Sequence, residues 1–200
     1  MSKLRYPYKE NTLDGVFRLG IRTGLLNIKY DAKLSSEYNN PNFPASLCLD
    51  GNPNTFCHTS SSSQSQEYLQ ISFKDVKFKI EGFVILNREV LTGWDPLHYE
   101  IQGSNDEINF ETIKAFNEDK TKVCGNLNNR TNEISTSKTY RSFRLRTTGN
   151  PCNVENFTYY TFNMAEFDLF GSFEFNESLR MKRRFIYIPL EIFVSLVSSY

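Results

Sequence analysis

Leu69, Ile71 and Phe73 alternate with Gln70 and Ser72, and the same two-residue rhythm returns twice more. It runs through Tyr99, Ile101 and Gly103 against His98, Glu100 and Gln102, then through Phe143, Leu145 and Thr147 against Ser142, Arg144 and Arg146. Period two sends successive side chains to opposite faces of an extended chain, so each segment predicts a half-buried strand. Ile80 to Leu86 is nearly all apolar, broken only by Glu81 and Gly82, and reads as a central strand. Phe110 to Phe116 and Phe162 to Phe170 complete the series. Loop chemistry separates these runs at Asn39-Asn40-Pro41-Asn42-Phe43-Pro44, at Asp50-Gly51-Asn52-Pro53-Asn54 and at the polar stretch Thr59 to Gln66. The Asn-, Thr- and Lys-rich residues 117–137 predict a long loop. Short strands punctuated by turns, with no helical pattern between them, predict an all-β, antiparallel β-sandwich and argue against a parallel α/β sheet. Composition agrees: 17 Phe and 11 Tyr suit pleated, half-buried surfaces.

The ends read differently. Phe17, Ile21, Leu25 and Leu26 approach helical spacing but are interrupted by glycines, which predicts a short helix or turn within an N-terminal extension, residues 1–30. The domain itself is assigned to residues 31–174 and a basic, apolar tail to 175–200. In the tail, Arg180 to Arg184 is basic and Phe185 to Tyr200 mostly apolar. That apolar run holds Pro189 and Glu191 and falls short of the roughly 20 residues that span a bilayer, so it reads as a docking or interfacial segment and membrane association is disfavoured. The first ten residues contain no apolar core of a leader, which predicts a cytoplasmic protein. Cys48, Cys57, Cys124 and Cys152 form no C-x-x-C pair and are read, in that setting, as four reduced thiols. Sequons at Asn129, Asn156 and Asn176 matter only on a secretory route. Lys plus Arg and Asp plus Glu balance at 23 each, which gives no electrostatic footprint for nucleic acid.

Four blocks, in order, resemble the F5/8 type C (discoidin) family. They are Pro44 to Phe56 with its Asp50-Gly51 turn, Glu67 to Phe73, Tyr99 to Phe110 with Gly103-Ser104-Asn105-Asp106, and Arg141 to Arg146 paired with Ala165 to Gly171. The resemblance implies a jelly-roll, galactose-binding-like sandwich and a binding module rather than an enzyme. The phrasing is most similar to intracellular discoidin domains of BTB-type proteins, although no BTB domain accompanies it. The chain departs from the family pattern at Phe56 or Cys57, Ser72, Glu107 and Phe110. Sugar-binding members carry a structural calcium; the matching positions here are Asp50, Asn52, Thr55 and Glu166, with carbonyls near Leu47 and Ala165. Oxygen ligands of those types are what calcium requires. The alternative is that Asp50 caps its own turn and Glu166 pairs with an arginine.

By the same resemblance, ligands bind at loops on one end of the sandwich. By position these loops are Tyr38 to Phe43, Thr59 to Gln66 and Asn87 to Leu97; the third holds Trp94 beside Arg88, Asp95 and His98, and Tyr159 and Tyr160 are further aromatic candidates. Trp94 is the only tryptophan, and an aromatic plate beside an arginine and a histidine suits a sugar ring. Packing of Trp94 against the sandwich edge is the plainer reading. Arg144 and Arg146 share a strand face and are expected on the outer surface. No catalytic or phosphate-binding motif occurs around His58, His98 or the scattered carboxylates. Two functions follow: a protein-interaction or scaffold module, and a carbohydrate-binding, lectin-like module. Phospholipid binding is third, because the Tyr38 to Phe43 loop carries aromatics without a basic neighbour.

Overall fold

A computed structural model describes residues 4–24, 28–39, 41–61, 66–89, 94–125, 127–154 and 159–175. The strands in these residues are β1 (Arg5–Tyr6), β2 (Tyr30–Leu34), β3 (Cys57–His58), β4 (Tyr68–Phe73), β5 (Val76–Leu86), β6 (His98–Ser104), β7 (Glu111–Asn117), β8 (Asn129–Glu133), β9 (Ser142–Thr147), β10 (Asn163–Met164) and β11 (Glu166–Phe175). Two short helices, α1 (Val16–Thr23) and α2 (Lys120–Val123), and a 3-10 turn over Ala45–Cys48 accompany them. One sheet has the order β2-β4-β9-β6-β7, the facing sheet β1-β11-β5-β8, and β3 pairs with β10 in a separate ribbon. Every pairing is antiparallel. The all-β, antiparallel sandwich expected from the period-two pattern is the architecture observed.

Alternation decides what lies between the sheets. Leu69, Ile71 and Phe73 of β4, Phe143 and Leu145 of β9, and Tyr99 and Ile101 of β6 are buried against Phe78, Ile80, Phe83 and Ile85 of β5 and Phe167, Leu169 and Phe173 of β11. Four phenylalanines staple the sheets together. Phe73 meets Phe173 edge-on with centroids 5.1 Å apart, Phe78 lies 4.7 Å from Phe173, and Phe143 approaches Phe78 at 5.9 Å. Such pairs add about 0.5–1.5 kcal/mol each beyond their buried area. The long pairing of β5 with β11 shifts register between Phe170 and Gly171. Gly171 has φ +154°, and a Cβ there would run into the Lys79 carbonyl and the Phe78 ring. Only glycine fits this bulge.

On the outer face of the five-stranded sheet, Arg146 Nε donates to Glu100 at 2.6 Å and Arg144 Nε to Gln70 at 2.9 Å. The Arg144 guanidinium is sandwiched between Tyr68 (4.1 Å) and Phe110 (3.7 Å). These two arginines lie where the alternation placed them, engaged with the sheet's own residues.

Residues 4–24 are built onto the sandwich. β1 adds to the edge of β11, and the amides of Phe17 and Arg18 at the start of α1 each donate to the buried Asp168 carboxylate at 2.8 Å. A side chain from a distant strand thus caps a helix that carries no acidic residue in its own first turn. Residues 117–137, expected as a loop, contain α2 and the edge strand β8. β8 reads Asn-Arg-Thr-Asn-Glu and carries no apolar alternation, because an edge strand can be polar on both faces.

The cysteines correct the reduced-thiol expectation. Cys48 pairs with Cys57 and Cys124 with Cys152 as disulfides, with Cα atoms 5.2 and 5.7 Å apart, and none is free. The spacing in the chain does not name the partners: Cys48 ends the 3-10 turn and Cys57 opens β3, while Cys124 and Cys152 lie 28 residues apart and meet only in the folded sandwich. Among the described residues no helix is long and apolar enough to cross a membrane, and the tail, with Asn176, lies outside them, as does Asn156.

Candidate functional site

The end of the sandwich where β5 stops and β6 begins carries a cleft of about 510 Å³ lined by His58, Arg88, Trp94, Asn153 and Asn163. Small-ligand sites run from roughly 300 to 1,000 Å³. Backbone pairing sets three of these residues. His58 and Asn163 face each other across the β3–β10 ribbon, and the Asn163 amide donates 2.9 Å to the carbonyl of Trp94. Asn153 adopts a left-handed φ of +65° directly after Cys152, whose amide donates 2.9 Å to the Asp95 carbonyl. Arg88 lies just past the end of β5, its guanidinium 3.4 Å above the ring of Phe56.

A run of rings backs the cleft. His58 lies 5.3 Å from Trp94 and 4.6 Å from Tyr38; Tyr38 leads to Phe43 at 6.3 Å, and Phe43 to Phe56 at 4.5 Å. Tyr38 is 46% exposed while His58 is 7% exposed, so the row rises from buried to open. Burial, with the Arg88 charge beside it, lowers His58 to about 4. The ring is therefore neutral at pH 7, and it can donate or accept one hydrogen bond. Its Nε2 and the Oδ1 of Asn163 are both buried without a hydrogen-bond partner among the described residues. Two unsatisfied polar atoms, a guanidinium and a tryptophan converge here. Buried polar groups without partners are costly, so these two atoms keep an unspent hydrogen-bonding capacity at the cleft.

Of the residues expected at this end, Arg88 and Trp94 line the cleft and Tyr38 stacks on its histidine. His98 opens β6 and lies instead against Gly149, and the amide of Tyr159 donates to Asn150 at 2.9 Å; neither lines the cleft. His58, Asn153 and Asn163 line the cleft without having been anticipated there. Each is an isolated polar residue in the sequence; the pairing of two-residue strands far apart in the chain assembles His58 and Asn163, and the Cys152 contacts bring Asn153 to them.

A second cluster lies at the Asp50-Gly51 turn. Thr55 Oγ1 donates to the Asp50 carboxylate at 2.9 and 3.0 Å and sits 2.8 Å from the Asn52 carbonyl and 3.3 Å from the Leu47 carbonyl. The Gly51 amide reaches Glu166 Oε2 at 3.3 Å, whereas Oε1 is buried with no hydrogen bond of good geometry among the described residues. Burial and the adjoining Asp50 carboxylate raise Glu166 to about 8, against the opposing pull of Arg18. Two carboxylates, a hydroxyl and carbonyls thus crowd into one partly buried spot, an all-oxygen set of the kind calcium takes. The Asn52 side chain is turned to its own loop, accepting from the Asn54 amide at 3.1 Å, so it offers its carbonyl rather than its amide oxygen. Among the described residues, no group of three or more His, Cys, Asp or Glu residues is placed to hold a metal. Any cation here depends on the hydroxyl and carbonyls as much as on the acids.

The F5/8 type C domain family model matches residues 31–160. No curated protein matches the chain. Solved structures with the same fold include CpGH89CBM32-5 from Clostridium perfringens in complex with GalNAc-β-1,3-galactose, which is 20% identical with a TM-score of 0.56 over 71% of this chain and 95% of that one. CBM32-3 from a family 31 glycoside hydrolase of the same organism aligns with a TM-score of 0.60 at 17% identity, over 82% of this chain and 99% of that one. The family 32 module of C. perfringens NanJ, in complex with galactose, aligns at 0.53 and 18% identity over 72% of this chain and 93% of the module.

Proposed function

The chain belongs to the F5/8 type C domain family, and we propose that it is a non-catalytic binding module that takes a glycan in the cleft around Trp94. The observation that carries this reading is the pairing of an aromatic plate with unpartnered polar atoms: the Trp94 indole stands beside buried, unsatisfied His58 Nε2 and Asn163 Oδ1. A sugar ring presents C–H groups on one face and hydroxyls at its rim, which matches an indole flanked by donors and acceptors. Arg88, held over Phe56, supplies further donors. Galactose and GalNAc-β-1,3-galactose, bound by structural neighbours, are the first ligands to try.

Calorimetric titration of the full chain with those two sugars tests the reading, with Trp94→Ala and Asn163→Ala beside it. Binding that is at least ten-fold weaker in both variants supports it, as expected when a desolvated contact is truncated. Binding unchanged in both variants, or absent from a wider glycan array, would sink it, and the protein-interaction reading would take its place.

We further propose that calcium occupies the Asp50 cluster as a structural ion. Asp50 and Glu166 would supply charge, Thr55 Oγ1 and the Leu47 and Asn52 carbonyls the remaining protein oxygens. The ion would neutralise two carboxylates pressed together and fix the turn joined to β3 through Cys48–Cys57. The two disulfides favour an oxidising compartment over a cytoplasmic one.

A further inference from the structure

The outer face of the five-stranded sheet carries a charged network that shares no residue with the cleft. β2, β4, β9 and β6 lie side by side, and their register sets Lys33, Gln70, Arg144 and Gln102 in one row across the strands. Alternation turns all four outward, because their neighbours Leu34, Ile71, Leu145 and Ile101 fill the core.

Arg144 is the fixed point of this row. Its guanidinium carbon lies 4.1 Å from the ring centroid of Tyr68 and 3.7 Å from that of Phe110, and its Nε donates to Gln70 Oε1 at 2.9 Å. Two rings and one hydrogen bond hold the guanidinium plane, so little side-chain freedom is left to lose on binding. Yet Nη1 and Nη2 have no acceptor among the described residues, and neither is a buried orphan, so both face solvent. Arg146, two residues on, is the contrast. Its Nε donates to Glu100 Oε1 at 2.6 Å and its Nη2 closes the ion pair.

Most acids near the row are spent in the same way. Glu100 also accepts from Gln102 and Thr112, and Asp31 pairs with Lys74. Glu107, in the turn between β6 and β7, accepts from Gln70 Nε2 at 3.1 Å and has no cation paired to it among the described residues. On the far side of Gln70, Lys33 is exposed and likewise unpaired among the described residues. Its strand lies two strand spacings from that of Arg144, about 10 Å. Two cations without acids, one held rigid and one on a flexible stem, thus flank the row against a single uncompensated carboxylate.

We propose that this face is a second binding surface, which takes an acidic peptide segment of a protein partner. One carboxylate sits end-on across Nη1 and Nη2 of Arg144, and a second meets Lys33. The guanidinium fork offers two parallel N–H bonds that match the two oxygens of a carboxylate. In an extended segment, carboxylates three residues apart are spaced by about 10 Å, the separation of the two strands. Charge selects the occupant, and Glu107 opposes it by repulsion.

The probe is the peptide Ac-Glu-Gly-Gly-Glu-NH2, titrated into the full chain and followed by the NMR signals of the arginine side chains. The Arg144 Nη signals should move and saturate at millimolar peptide, while those of Arg146, whose fork is filled by Glu100, stay in place. Arg144→Met should weaken binding at least about ten-fold and Lys33→Gln about three-fold. Glu107→Gln should strengthen it about three-fold, because it removes the repelling charge and keeps an acceptor for Gln70. Lys33 is exposed, so its variant decides the matter if Arg144→Met does not fold. Binding of Ac-Gln-Gly-Gly-Gln-NH2 as tight as that of the acidic peptide overturns the assignment. So do equal movements of the Arg144 and Arg146 signals, or binding that Lys33→Gln or Glu107→Gln leaves unchanged. Galactose should bind equally with and without the peptide; competition between them would put the peptide in the cleft and overturn the second surface.

Discussion

Glu166→Gln in the metal-free chain is expected to stabilise it at alkaline pH. Glu166 has a folded value near 8, raised above the ordinary 4.5 by burial and by the Asp50 carboxylate. A raised folded value means the protonated form is favoured by folding. The associated stability is complete below about pH 4.5 and is lost as pH rises through about 8, at up to about 1.4 kcal/mol per pH unit. Across the whole window the loss approaches about 5 kcal/mol, an upper bound because solvent relaxes around the pair. Gln keeps the shape and cannot ionise, but it is still a desolvated polar group. The expected gain at pH 9 in chelator is therefore on the order of 2 kcal/mol, or roughly 4–8 °C in Tm for a chain of this size. Asp95 and Asp168 are also raised, to about 6 and about 7, so the comparison is the difference between variant and wild type, which cancels them. Arg18 opposes the rise at Glu166 and is unchanged in both proteins. With millimolar calcium the order should reverse, wild type rising above Glu166→Gln. Urea unfolding at pH 5, 7 and 9, with chelator and with calcium, reads both effects. A variant less stable than wild type at pH 9 in chelator would refute the repulsion argument, and an equal calcium shift in the two proteins would refute the site.

Gly171→Ala should destabilise the chain by on the order of 2 kcal/mol or more in urea unfolding, because the bulge admits no Cβ. Reduction of the disulfides should weaken binding of GalNAc-β-1,3-galactose more than it lowers helix and sheet content by circular dichroism, since Cys57 adjoins His58 and Cys152 adjoins Asn153 in the cleft. His58 contributes a pH dependence of opposite sign to the acids. Its folded value is lowered from 6.5 to about 4, so stability held above pH 6.5 declines as pH falls towards 4, and His58→Gln should remove that decline in acid-unfolding curves.

The sandwich was legible because its information is local. Leu69, Ile71 and Phe73 announce one buried face within five residues, and β4, β6 and β9 fall where that alternation places them. β8 escaped because Asn129 to Glu133 sits at a sheet edge and needs no apolar face. The Asp50, Thr55 and Glu166 cluster was reached through the family blocks rather than through composition, and the structure brings those residues together while turning the Asn52 side chain away. Trp94 and Arg88 were legible as an unusual pair in one loop. His58 and Asn163 were not, because β3 and β10 are two-residue strands whose partnership is written nowhere near either of them. The disulfides failed for the same reason.

The cleft divides into parts fixed by the backbone and parts free to vary in chemistry. His58, Trp94 and Asn163 are registered by backbone hydrogen bonds, which any side chain at those positions would preserve. Asn153 is fixed by its neighbour Cys152, through a disulfide and an amide bond to Asp95. The phenylalanine staple lies between the sheets, and none of its four rings is among the residues that line the cleft. Substitution at the lining therefore changes the hydrogen-bonding pattern offered to a ligand at little cost to folding, whereas substitution at Gly171 or Phe173 does the reverse.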